Sequence, residues 1–274
     1  MARRPTAFRA PGARAAAPGR NSGFVAAAVG AALGLFVALL LFAPARWLTG
    51  GIASATGGHL LLTSPRGTIW NGSAQLVLAG GSGSTDAVAL PDRIEWQLRP
   101  QWTGARIQLL AACCTPAPLV ATAALGWDGV HIRVANGSSS WPAALLSGLG
   151  TPFNTLQPEG TLLLRTTQTA VHLANGRFTL AGRADIDVQN LASSVSQLRP
   201  LGSYRLSLLG GAVPALQLTT VDGPLQLSGD GQWVGNRLRF TGLARALPER
   251  EAALSILLNL LGRRNGATSV ITLG

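Results

Sequence analysis

Apolar residues recur along this chain in two different ways, as one unbroken run near the start and as a strict alternation through much of the rest. The unbroken run is Gly23 to Ala43 (GFVAAAVGAALGLFVALLLFA), 21 residues without a charge. As a helix it is about 31 Å long, close to the ~30 Å hydrocarbon thickness of a bilayer. A surface helix of a globular domain keeps one polar face; here only Asn21 and Ser22, at the edge, are polar. The run therefore predicts a transmembrane helix over residues 23–43. Five arginines and no acid precede it (Arg3, Arg4, Arg9, Arg14, Arg20). The positive-inside rule then keeps residues 1–22 in the cytoplasm as an arginine-rich arm and sends residues 44–274 across the membrane. The competing reading is a cleaved signal peptide with Ala43-Pro44-Ala45 as its small-x-small site. Signal h-regions run roughly 7–15 residues, and Arg46-Trp47 follows as an interfacial anchor pair would; both points favour an uncleaved anchor.

Beyond the anchor the period is two. Arg93 to Arg99 alternates without error and puts Ile94, Trp96 and Leu98 on one face. Phe178, Leu180, Gly182, Ala184, Ile186 and Val188 alternate with Thr179, Arg183, Asp185 and Asp187. Tyr204, Leu206 and Leu208 alternate with Ser203, Arg205 and Ser207, and Leu225 to Trp233 alternates with Gln226 to Gln232. One apolar and one wet face is the mark of antiparallel sheets. Asn71-Gly72, Asn136-Gly137, Asn175-Gly176 and Gly235-Asn236 read as tight turns, a better account of the first two than their glycosylation-like spacing. Gly182, Gly229, Gly231 and Gly242, inside strands, read as bulges or points of strong curvature. The expected fold is mainly β: a transmembrane helix, then a curved antiparallel sheet shaped as a sandwich, partial barrel or groove, with a few short helices.

The best of those helices opens at Pro248-Glu249-Arg250-Glu251, lines Leu254, Leu257, Leu258 and Leu261 along one face and ends at Gly262. Arg263 and Arg264 then lie by its negative end. Shorter helices are expected from Trp141-Pro142 to Leu149 and from an Asn190 cap to Gln197.

Charge changes little in this picture. The formal net charge of +11 and a pI near 11.7 invite a nucleic-acid reading. Five of the positives sit in the arm beside anionic headgroups, and a basic patch across the membrane meets no nucleic acid. All 22 basic residues are arginine, so no P-loop lysine, Schiff-base lysine or Ser–Lys dyad exists.

No catalytic constellation is present in the sequence. G-x-S-x-G and H-E-x-x-H are absent, and His59, His131 and His172 are far apart along the chain. No metal or cofactor site is expected. Asp185 and Asp187 share a strand face with Arg183 and read as a solvated charge row. Trp70, Trp96, Trp102, Trp127 and Trp233 lie in or beside strands and read as filling the interior of the sheet. Cys113 and Cys114 are the only cysteines. A bridge between neighbours 3.8 Å apart falls below the usual 4.4–6.8 Å range, so a strained vicinal disulfide, a redox switch or free thiols all stay open.

Several segments, in order, are similar to a known family. They begin with Gly67-Thr68-Ile69-Trp70-Asn71-Gly72-Ser73-Ala74, followed by Leu90-Pro91 and Ile94 to Pro100 around Trp96. Leu198-Arg199-Pro200-Leu201-Gly202-Ser203-Tyr204 and Gly223-Pro224-Leu225-Gln226-Leu227-Ser228-Gly229 come next. The densest stretch runs from Arg237 through Leu257-Leu258-Asn259-Leu260-Leu261-Gly262 to Gly274. In this order, behind one amino-terminal anchor, they resemble the type II secretion system protein N family (general secretion pathway protein N). The resemblance implies a single-pass, non-enzymatic protein of the bacterial inner membrane with a periplasmic β-domain. Its implied partners are other secretion components, met through protein–protein contacts, with membrane lipid touching only the anchor. Exposed strand edges are the first contact surface to consider, since they offer backbone donors and acceptors. The alternative is a lipid-binding groove of the AsmA-like kind, lined by the tryptophans.

Overall fold

The computed structural model describes residues 20–174, 177–211, 213–234 and 237–273. Arg3, Arg4, Arg9 and Arg14 of the arm, and the turns expected at Asn175-Gly176 and Gly235-Asn236, lie outside the described residues. The chain divides into two units at Ala43–Pro44. In the first, helix α1 (Arg20–Leu41) follows from an unbroken apolar run, and its Gly23–Leu41 stretch has a mean hydropathy of 2.6 with nothing buried. That helix is long and apolar enough to cross a membrane.

The second unit opens with helix α2 (Ala45–Ala55), which the Gly50-Gly51 pair hides from a propensity reading. A single sheet follows. Its strands are β1 (Leu60–Gly67), β2 (Asn71–Ala79), β3 (Ala87–Gln101), β4 (Gly104–Ala111), β5 (Leu119–Gly126), β6 (Gly129–Val134), β7 (Gly137–Pro142), β8 (Pro158–Ala174), β9 (Arg177–Ser193) and β10 (Gly202–Gly211). β11 (Ala215–Asp222), β12 (Leu225–Val234), β13 (Arg237–Ala246), β14 (Arg263–Asn265) and β15 (Thr268–Leu273) complete it. Almost every strand pairs antiparallel with its successor. The exceptions are β7, which shares one edge of β8 with β6, and β15, which pairs β13 and carries β14 outside it. β1 and β14 end the path without meeting, so the sheet is open and the sandwich falls away.

Alternation decides which face is dry. In β3, Ile94 and Trp96 are buried while Glu95, Gln97 and Arg99 are exposed; in β13, Phe240, Ala244 and Ala246 are buried between exposed Arg239, Leu243 and Arg245. Helices cover the dry face at two places. Leu48 and Ile52 of α2 pack on a cluster of Leu62, Ala74, Leu90, Ile94 and Trp96. Helix α4 (Glu251–Leu261) lays Leu254, Leu257 and Leu258 against Leu201, Tyr204, Leu225 and Ala244. Between these clusters sit a 3₁₀ helix (Ala143–Leu149) and the single turn α3 (Phe153–Leu156).

Several local expectations are corrected. The helix expected from Trp141-Pro142 to Leu149 is present as the 3₁₀ helix Ala143–Leu149, with Pro142 as its N-cap, while Trp141 and Pro142 themselves close β7. No helix follows Asn190, which holds φ 50° inside β9. Asn71-Gly72 opens β2, and the turn is made by residues 68–70. Asn136-Gly137 links β6 to β7, which do not pair; the Asn136 side chain instead accepts a hydrogen bond from the Gln168 N–H at 2.6 Å. Gly262 does end α4, in extended backbone, but Arg264 pairs with Glu251 in the first turn of that helix at 3.1 Å rather than with its end.

The strand glycines have two separate causes. Gly182, at φ 80°, does sit in a bulge opposite Thr167–Ala170. Gly229, Gly231 and Gly242 lie in the regular β12–β13 ladder. They bed the Phe240 ring: a Cβ added to them would come 2.5, 3.0 and 2.9 Å from that ring.

Candidate functional site

The motif residues build two packing nodes. In the first, Trp96 is 5 % exposed and its indole N–H donates to Ile69 O at 3.1 Å. Gly72 lies directly beneath, where a Cβ would sit 2.5 Å from Trp96 Cζ2, and Gly67 turns the chain at φ 85°. Trp70 O accepts from Leu98 N at 2.6 Å, which ties the β1–β2 turn to β3. In the second node, the Tyr204 hydroxyl reaches Leu225 O at 2.9 Å and Leu201 O at 3.2 Å. Gly202 leaves room for that hydroxyl, Gly223 packs on the Gly202 backbone, and Leu201 follows the Arg199-Pro200 bond. Pro224 O accepts from Leu247 N at 2.9 Å. Leu258 is fully buried and its carbonyl accepts from Ser269 Oγ at 2.6 Å; Gly262 packs against the β15 backbone. Burial pushes the Tyr204 hydroxyl pKa up. These residues pack; none presents a nucleophile or base to an open cleft.

The chemistry-bearing side chains lie elsewhere. Asp185 and Asp187 are not the solvated row expected of them. Asp187 is 7 % exposed and sits between Arg205 (2.6 Å) and Arg165 (3.2 Å). Asp185 receives Arg183 at 2.7 Å and the Ser207 hydroxyl at 2.5 Å. Burial raises the Asp185 pKa, but hydrogen bonds from Arg183 and Ser207 outweigh it and hold it below the ordinary value. The ladder staples β8, β9 and β10 on the wet face.

His131 and His172, read as isolated in the sequence, stack with ring centroids 4.1 Å apart beside Asp128. No sequence signal foretells this, because it depends on β6 skipping β7 to pair with β8. Cys113 and Cys114 form a disulfide; Cys114 is buried in the first core cluster, and its carbonyl accepts from Ser140 N at 2.7 Å.

Trp102 and Trp127 overturn the expectation that the tryptophans fill the interior. Both are fully exposed, at the tips of the β3–β4 and β5–β6 hairpins, because residues in a two-residue turn lie beyond the sheet's dry face. With Trp70, Leu98 and Leu125 they line one concavity of about 830 Å³. The sheet ends, by contrast, are blunt: β1 carries Pro65, and β14 is three exposed residues, two of them arginine.

A membrane-length apolar helix ahead of one open antiparallel sheet, with motif residues committed to packing, fits a single-pass anchored β-domain protein. The chain belongs to the type II secretion system protein N family: the family model, "Type II secretion system (T2SS), protein N", matches residues 58–271. It is therefore a component of type II secretion. Comparison with curated proteins and with solved structures finds no match.

Proposed function

We infer that the protein is a non-enzymatic inner-membrane subunit that helps move folded proteins from the periplasm across the outer membrane, acting through contacts with other secretion components. The observation that carries this reading is the family match over residues 58–271, which spans nearly the whole sheet, behind an apolar helix at Gly23–Leu41. The arginine arm stays in the cytoplasm and the sheet faces the periplasm. Exposed aromatic side chains on rigid hairpins are favoured anchors of protein contacts, so with both sheet ends blunted Trp102 and Trp127 replace the strand edges as the contact surface. The lipid-groove alternative keeps one surface, the solvent-open concavity of about 830 Å³ that Trp70, Trp102 and Trp127 line at the hairpin tips; the wholly apolar cavity under α4 is only about 210 Å³, below the ~300–1,000 Å³ of ligand pockets.

Deleting the gene and following an exported enzyme tests this. Folded, active enzyme is expected to accumulate in the periplasm while its release to the medium falls. A Trp102→Ser/Trp127→Ser protein, present at wild-type level, is expected to restore release incompletely. Normal release in the deletion strain, with altered outer-membrane lipid or raised detergent sensitivity, would overturn the reading in favour of the lipid groove.

A further inference from the structure

The β6–β8 register makes His131 the direct cross-strand partner of His172. Both side chains project from the wet face, since their neighbours Ile132 and Val171 point to the other. The rings stack with planes only 4° apart. Asp128, in the turn between β5 and β6, faces both: Oδ1 is 2.9 Å from His131 Nε2, and Oδ2 is 3.3 Å from His172 Nε2. His172 Nε2 is different. It is buried and makes no hydrogen bond, because its approach to Asp128 has the distance but not the direction of one. A buried nitrogen without a partner is costly.

Two glycines make this cluster sterically feasible. Gly129, at φ 138°, closes the turn. A Cβ on Gly126 would lie 2.5 Å from Asp128 Oδ1 and 3.2 Å from His131 Nε2. Any side chain at position 126 would drive the carboxylate away from the imidazoles.

The geometry points to a divalent transition-metal site, suited to Zn²⁺, formed by His131 Nε2, His172 Nε2 and an Asp128 oxygen. Two imidazoles and one carboxylate select a zinc-like ion over the hard cations Ca²⁺ and Mg²⁺. All three donor groups already lie within 4.8 Å of one another. Tetrahedral bonds of ~2.0–2.1 Å set donor atoms about 3.3 Å apart, near the 2.9 and 3.3 Å seen here. Parallel rings cannot both aim a lone pair at one ion, so binding splays the stack and gives His172 Nε2 the partner it lacks. The adjoining cleft of about 560 Å³, floored by Ala170, Ala181 and Gly182, leaves room for water as fourth ligand. The ion would tie the β5–β6 turn to β8, at the one place where β7 interrupts the strand order.

The test is titration of the detergent-solubilised full chain, carrying an affinity tag without histidine, with Zn²⁺ by calorimetry and with Co²⁺ by visible absorption. One ion per chain is expected, with no binding of Ca²⁺ or Mg²⁺. His131→Gln and His172→Gln should each weaken Zn²⁺ by more than the ~10–100-fold that changes around a ligand cost. His59→Gln is the control: His59 lies elsewhere, with Nδ1 3.1 Å from Ala79 O, and its loss should change nothing. Metal-free thermal melts of the variants, matching wild type, separate lost binding from lost folding. Absence of Zn²⁺ binding by wild type, or equal binding by wild type and both variants, would overturn the site and leave an ion-paired histidine stack in its place.

Discussion

Tyr204 is the chain's one tyrosine, 2 % exposed, with its hydroxyl proton shared between the carbonyls of Leu225 and Leu201. Its folded pKa lies above the ordinary value of 10.0 because burial disfavours the phenolate. The native state thus holds this proton more tightly than the unfolded chain does. The stability it contributes is complete below pH ~10 and is lost as pH rises through the folded value. The absence of lysine makes the effect readable, since no amine side chain titrates in that range. Wild-type melting temperature is expected to fall above pH ~10, and tyrosinate absorbance should rise only with unfolding. Tyr204→Phe should cost about 1–2 kcal/mol at neutral pH and flatten the alkaline limb. Tyrosinate forming near pH 10 in the folded protein would show that the hydroxyl is not enclosed. The motif residues were legible at this scale as positions, though not as two nodes, because the contacts joining Gly72 to Trp96 and Gly202 to Tyr204 are made by turns and register. Trp102 and Trp127 misled for the opposite reason: a residue beside a strand reads as buried until the turn position is known.

Strands were the most legible elements, because a half-buried antiparallel strand writes its two faces into the sequence. Arg93–Arg99 and Leu225–Trp233 keep their expected dry faces, and the leucine stripe of α4 packs as its spacing implies. Glycine was harder to read, since one residue type serves bulges and close packing alike. At Gly229 the ladder is regular and an added Cβ would meet both the Phe240 ring at 2.5 Å and the Gly242 backbone at 2.8 Å. The backbone cannot yield as a flexible side chain would. Gly229→Ala is therefore expected to destabilise by about 1–3 kcal/mol, the ordinary cost of overpacking. Ser228→Ala, one residue away on the wet face, should stay within ~0.5 kcal/mol. Denaturant melts of the two variants check this, and equal stability would mean that β12 and β13 are not packed around Phe240. Pairings that skip a strand left no local trace, which is why His131 and His172 looked unrelated.

For the whole molecule, what matters is the side of the membrane on which the sheet sits. All five arm arginines precede the apolar run without an acid, whereas Arg46 alone follows closely, exposed on α2 beside Trp47. That asymmetry supports an amino terminus inside. The Cys113–Cys114 disulfide is at home in an oxidising compartment and would be reduced in the cytosol. Both arguments support the proposed placement of residues 44–274 in the periplasm, where other envelope-spanning secretion components can be reached. A reporter active only in the periplasm, fused after Gly274, is expected to be active, and the membrane-extracted protein should retain Arg3 to Arg20 at its amino terminus. Exchanging Gly23–Ala43 for an unrelated transmembrane helix of the same orientation should preserve secretion, because the proposed contacts belong to the sheet. A protein recovered with its terminus near Arg46 would make the apolar run a cleaved leader, and an inactive reporter would reverse the orientation. The first result would remove the membrane link on which an inner-membrane role depends and the second would put the sheet on the cytoplasmic side, while both leave the fold and the family membership intact.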